Sequence, residues 1–92
     1  MPIVMRARIP GMMQDQYDKM AAPLLDKIKT AKGFIAHAGC AIPGGWEVTE
    51  IWESPEDHDV WMKNTVMPAA AANGMNPPIV EIAHARRVEL KK

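Results

Sequence analysis

The sequence predicts an α+β domain of βαββαβ order, because its hydropathy switches between a period of two and a period near 3.6, with proline, glycine and serine signals at the switches. In the first strand Ile3, Met5, Ala7 and Ile9 alternate with Val4, Arg6 and Arg8, and Pro10-Gly11 ends it. From Met13 the spacing changes: Met13, Tyr17, Met20, Ala21, Leu24, Ile28 and Ala31 form one stripe, with Asp15, Asp18, Lys19, Asp26, Lys27 and Lys29 opposite. This is an amphipathic helix, bent at Pro23 and closed by a left-handed Gly33. Phe34 to Cys40 reads as a second strand, with Phe34, Ala36, Ala38 and Cys40 on one face and Ile35, His37 and Gly39 on the other. Ile42-Pro43-Gly44-Gly45 turns the chain into a third strand, Trp46 to Glu53, so the two make a hairpin. Ser54-Pro55-Glu56-Asp57 is a helix start: a serine cap, a proline at the first helical position and acids that suit the helix dipole. That helix extends to about Ala72, with a distortion expected at Pro68 and a stop at Asn73-Gly74. Pro77-Pro78 leads into a last strand from Ile79 to about Val88, with Val80, Ile82, His84, Arg86 and Val88 on one face.

Right-handed crossovers fold this order into a ferredoxin-like, four-stranded antiparallel sheet with two helices on one face. The 92 residues, 1–92, are expected to form one domain. Chains of this size bury only about 60–65% of their unfolded surface, so association helps. The bare face is expected to carry Val4, Ile35, Ile82 and Val88 among Arg6, Arg8, His37, His84 and Arg86, which suits pairing with a second copy as a homodimer. Both faces of the third strand hold apolar and acidic residues, so its pattern leaves the face of Val48, Glu50 and Trp52 open.

Composition excludes several classes. Eleven basic and eleven acidic residues cancel without forming a block, which argues against nucleic acid and anionic lipid. The single cysteine, Cys40, excludes an internal disulfide and a cysteine-based zinc site and fits a reducing, cytoplasmic setting. The start lacks the pattern of a secretory signal, and no stretch approaches the roughly 18 apolar residues of a membrane span. Eight methionines against one phenylalanine and one tyrosine suggest a soft, adaptable interior.

Two segments, Gly33-Phe34-Ile35-Ala36-His37-Ala38 and Gly45-Trp46-Glu47-Val48-Thr49-Glu50-Ile51-Trp52-Glu53-Ser54, together with Pro68-Ala69, resemble the antibiotic biosynthesis monooxygenase family. The likeness spans nearly the whole chain. It implies a dimeric α/β barrel, a ligand pocket between sheet and helices in each subunit, and oxidation of an aromatic or quinonoid small molecule without metal or flavin. In a haem-degrading branch of that family the second helix carries a tryptophan, matched by Trp61, and an iron-ligating histidine. The latter position falls near Ala71, so the iron ligand is missing. Other members have a histidine where this chain has Trp61.

Such chemistry needs a base to remove an acidic proton, donors for the resulting oxyanion and apolar walls that exclude water. Glu50 and His37 are the candidate proton acceptors, Glu50 if it faces the helices. Phe34, Trp52, Trp61, Met5 and Tyr17 are the candidate substrate-binding residues. The plainer readings stand beside these. His37 and His84, on the two edge strands, are expected to be hydrogen-bonded interface histidines more readily than catalytic or metal-binding ones. Trp52 and Trp61 also read as core, Arg6, Arg8, Arg86 and Arg87 as interface ion pairs, Cys40 as a small filler and His58 as a solvated residue. No metal site is expected; a non-catalytic dimeric module that binds a hydrophobic ligand or merely stabilises a partner is the alternative to the enzyme, and haem binding without degradation is a third reading.

Overall fold

The computed structural model of the chain describes residues 1–75 and 77–91. The elements are β1 (Ile3–Pro10), α1 (Gln14–Ile28), β2 (Phe34–Ile42), β3 (Gly45–Trp52), α2 (Pro55–Trp61), a π-helical stretch (Met62–Val66), α3 (Met67–Ala72) and β4 (Ile79–His84). The four strands form one antiparallel sheet in the order β2-β3-β1-β4, with β2 and β4 at its edges. This is the ferredoxin-like α+β fold. The helices lie on one face, where Ile3, Met5, Ala7 and Ile9 of β1 and Trp46, Val48, Glu50 and Trp52 of β3 are buried.

Each element has a local cause. In α1 the Met13 N–H donates to the Gln16 side chain, which satisfies one of the donors that a helix start leaves over. The helix continues through Pro23 and buries Ala21 and Ile28 against the sheet. Ser54 caps α2 by accepting from the Asp57 N–H at 3.1 Å, with Pro55 at the first helical position. The next turns widen to π geometry before Pro68, where the Met67 N–H reaches back to the Met62 carbonyl. Pro68 has no N–H to donate and its ring crowds the carbonyl four residues earlier; a wider turn relieves both. Gly33 has φ +82°, and a Cβ there would run into the Asp57 side chain, so β2 starts where only glycine lets it pass the capped end of α2.

The buried side chains form two clusters. Met5, Ala7, Ile9, Met12, Trp46 and Val48 make one, under Tyr17 and Met20 of α1. Ile3, Ile28, Trp52 and Trp61 make the other, with Leu24, Phe34 and Met62 around it.

Three expectations are corrected. First, β2 does not alternate without a break: a β-bulge falls between Phe34 and Ala36. A single extra residue reverses every side chain beyond it. Phe34 keeps the helix face, but His37 then pairs with Glu50 and Gly39 with Val48 on that same face, while Ala36, Ala38 and Cys40 turn outward. Second, β4 is inverted relative to the expectation. Its register puts Val80 opposite Ala7, Ile82 opposite Met5 and His84 opposite Ile3, all on the helix side, and Ile79, Glu81 and Ala83 on the outer side. Both sets contain aliphatics, and only pairing with β1 decides between them. His37 and His84 therefore do not lie on the outer face. Third, β4 ends at His84 rather than near Val88. The Ala85 N–H still reaches the Pro2 carbonyl, but among the described residues β1 is the only neighbour of β4 and starts there, so the described residues after Ala85 have no strand to pair with.

The outer face thus carries Val4, Arg6, Arg8, Glu47, Thr49, Ile51, Ile79, Glu81 and Ala83 with the three small residues of β2. Arg6 pairs with Glu47 at 2.8 Å and Arg8 with Glu81 at 2.9 Å. No helix among the described residues is long and apolar enough to cross a membrane.

Candidate active site

Between the sheet and the helices lies a cavity of about 80 Å³. Five methionines line it, Met5, Met12, Met20, Met62 and Met75, together with aliphatics from α1 and β1, and Trp61. Tyr17, His37 and Glu50 supply its polar groups. Thioether side chains are unbranched and polarisable, so such a wall can reshape around a flat ligand.

The polar groups form a continuous hydrogen-bonded chain. His37 Nδ1 is 2.8 Å from Glu50 Oε2, and His37 Nε2 is 2.7 Å from the Tyr17 hydroxyl. The Trp52 indole N–H donates to Glu50 Oε1 at 2.9 Å. Because a carboxylate oxygen accepts, Nδ1 of His37 is the donor to Glu50, and in the neutral tautomer that carries this proton Nε2 accepts from the Tyr17 O–H. Glu50 is 5% exposed and faces Met5 in the centre of the sheet. A buried carboxylate is tolerated only when its oxygens are hydrogen-bonded, and here both are. The Tyr17 hydroxyl is held above its ordinary value of 10.0 by burial and by the carboxylates of Glu50 and Asp18, which keeps it a donor at neutral pH.

Tyr17 is positioned from two sides. Its ring stacks on Trp46 with centroids 4.7 Å apart, and runs nearly parallel to His37. Its hydroxyl occupies the space a side chain at position 39 would fill: a Cβ on Gly39 would lie 2.6 Å from that oxygen. Gly39 is therefore the vacancy in β2 that admits the tyrosine from α1.

The structure brings Glu50, His37, Tyr17, Met5 and Trp61 around one cavity and leaves two named residues outside it. Trp52 is fully buried in the second cluster, where it meets Phe34 edge-on at 5.5 Å and Trp61 at 6.2 Å. Phe34 and Trp52 do not line the cavity; Trp52 acts through its N–H on Glu50. Ala36 and Ala38, which strict alternation sets on the face of Phe34, face away from the helices because of the bulge. The roles of Gly39 and Trp46 were not foreseen, because they depend on which residues the hairpin register sets under Tyr17. Among the described residues no group of three His, Cys, Asp or Glu side chains stands close enough to hold a metal ion.

His58 is a further correction: it is 4% exposed, not solvated. Three residues before Trp61, it lies on the same inward side of the helix. Its ring meets Trp52 edge-on at 5.8 Å, and its Nε2 has no hydrogen-bond partner among the described residues. Flanking Asp57 and Asp59 concealed this, since acids beside a histidine at a helix start read as a solvated turn.

No protein-family model matches the chain, and neither does any curated protein sequence. Solved structures do. A protein of unknown function from Nitrosomonas europaea, NE2512, superposes with a TM-score of 0.80 at 14% identity, over 99% of this chain and 95% of that one. SnoaB, a cofactor-independent oxygenase from Streptomyces nogalater, superposes with a TM-score of 0.70 at 11% identity, over 95% and 94% of the two chains. The monooxygenase ActVA-Orf6 of Streptomyces coelicolor, in complex with nanaomycin D, gives 0.62 at 18% identity, over 98% and 92%. At these identities the likeness establishes a shared fold, one on which antibiotic biosynthesis monooxygenases are built.

Burial holds the His58 imidazole below its ordinary value of 6.5, against a smaller opposing pull from Glu50 and Asp59. The unfolded chain therefore takes up this proton at higher pH than the folded one. Stability is complete above the ordinary value and is lost as pH falls from it toward the lowered folded value. Urea midpoints measured between about pH 7.5 and about pH 5 should fall more for the native protein than for His58→Phe. Equal falls would mean that His58 is not held neutral inside the fold.

Proposed function

We propose that the protein is a cofactor-independent monooxygenase acting on an aromatic or quinonoid small molecule, and so a member of the antibiotic biosynthesis monooxygenase family. One observation carries the reading: an apolar cavity whose polar groups are a hydrogen-bonded chain from the buried Glu50 through His37 to Tyr17. The shared fold with SnoaB and ActVA-Orf6 supports it.

In this reading His37 Nε2 takes a proton from an acidic C–H or O–H of the substrate, and the imidazolium is stabilised by Glu50 at Nδ1. Trp52 holds the carboxylate in place from its other oxygen. The Tyr17 hydroxyl, released from Nε2, turns to the substrate oxygen on which negative charge collects. The electron-rich anion then reduces dioxygen and combines with it to give a hydroperoxide. The hydroperoxide takes its proton from His37; for a ring CH2 group, His37 then removes the second C–H proton as the O–O bond breaks and passes it to the departing hydroxide, so that CH2 and O2 become C=O and H2O. The substrate supplies the electrons, and the apolar wall limits access of water to the anion.

A second reading has one observation in its favour. The Tyr17 hydroxyl already occupies Nε2, so the chain also makes sense as a closed polar brace in a non-catalytic module that binds a hydrophobic ligand. Oxygen uptake with a panel of anthrones and hydroquinones separates the two. The enzyme reading expects turnover that falls about 100- to 10,000-fold in His37→Ala, as for a lost general base, with ligand binding retained. Binding without oxygen uptake by the native protein would sink it.

The outer face of the sheet is the surface we assign to a second copy, giving a homodimer. Its small residues and aliphatics surround two charge pairs already satisfied within one chain, so burying it leaves no ion unpaired. Sedimentation should return twice the chain mass; a mass of one chain at micromolar concentration would contradict the assignment.

A further inference from the structure

A second depression lies on the other side of Trp61. It has a volume of about 500 Å³ and is lined by Lys27, Thr30 and Lys32 from the end of α1 and its following turn, and by Asp57, Asn64 and Thr65 from α2 and the π-helical stretch. Trp61 lines both this groove and the inner cavity, so its indole is the partition between them. The two spaces differ in chemistry. The inner one is walled by methionines and aliphatics; the outer one carries two ammonium groups, two hydroxyls and an amide against a single carboxylate. Neither Lys27 nor Lys32 is held in an ion pair among the described residues.

Size makes the partition matter. Pockets that hold small organic ligands run from about 300 Å³ upward, and the inner cavity falls well short of that. A two-ring substrate therefore needs a wall to move. Trp61 is the wall that has open space behind it. It is also the residue immediately before the π-helical stretch, whose side chains divide in the same way: Met62 and Val66 face the cavity, Asn64 and Thr65 the groove. Widened turns of this kind are frequent at functional sites.

We propose that groove and cavity are two halves of one ligand site joined by displacement of Trp61, and that the ligand is a planar ring system bearing a carboxylate. The ring lodges among the methionines beside His37. The carboxylate stays in the groove over Lys27 and Lys32. This rests on the reading of the inner cavity as the substrate site and extends it, naming a substituent the substrate must carry and the route by which it arrives.

The test compares 2-naphthol with 6-hydroxy-2-naphthoate, which differ by one carboxylate, by calorimetric titration of the full chain at low salt. The carboxylate should tighten binding by about fivefold, the scale expected for two partly exposed charge pairs. The double substitution Lys27→Ala and Lys32→Ala should abolish that gain and leave 2-naphthol unchanged. Trp61→Ala should speed the association of both compounds in stopped-flow mixing. Equal affinity of the two compounds, or a gain that survives the double substitution, overturns the groove while 2-naphthol binding leaves the inner site standing. An unchanged association rate in Trp61→Ala removes the partition as the route. If neither compound binds, the inner cavity is not a ring site and both readings fall together.

Discussion

A carboxylate in the middle of the sheet is the constraint on which the rest of this structure turns. Glu50 lies on the helix face among Met5, Val48 and Trp52, where an ion without partners costs several kcal/mol. Each surrounding oddity serves it. Trp52 spends its only donor on one oxygen. The bulge after Phe34 turns His37 inward to meet the other. Gly39, two residues on, leaves out the side chain that would block Tyr17 from reaching the imidazole. Remove the bulge and His37 points away from the helices, leaving Glu50 half-paired and Tyr17 without its acceptor.

The same chain accounts for the way the core is divided. Trp46, Val48 and the methionines pack under α1, and Trp52, Trp61 and Ile28 pack at the other end, with Glu50 on the strand between them. A cavity persists at the seam. Its lining is soft at the methionines and hydrogen-bonded at Glu50, His37 and Tyr17, and Trp61 lines both it and a groove that carries lysines, threonines and an asparagine. Rigidity is concentrated in the sheet, adaptability in the methionines and the widened turn of the second helix.

The order of elements, both helices, the hairpin and the serine cap were legible in the sequence, because each depends on residues within a few positions of one another. Sidedness was legible only for β1, whose alternation is unbroken and whose arginines mark the outer face. For β2 one extra residue inverted His37, Ala36 and Ala38 together, and nothing in Phe34-Ile35-Ala36 announces a bulge. For β3 the question stood open, and the partners of Glu50 answer it: a tryptophan two residues along the same strand and a histidine across the hairpin. For β4 both faces are aliphatic, and Ile82 is half exposed even on the helix side. Glu50, His37 and Tyr17 were each identifiable by residue type, but their convergence was not, since it depends on a register that only the folded sheet defines.

The central claim is that Glu50 fixes the proton of His37 on Nδ1 and leaves Nε2 facing Tyr17 as an acceptor. Nitrogen-15 spectra of the imidazole rings at neutral pH test it directly. The geometry predicts a single tautomer of the His37 ring, its Nδ1 proton hydrogen-bonded and slow to exchange, and loss of that single tautomer in Glu50→Gln. A His37 ring protonated on Nε2, or one averaging freely between tautomers in the native protein, would contradict it.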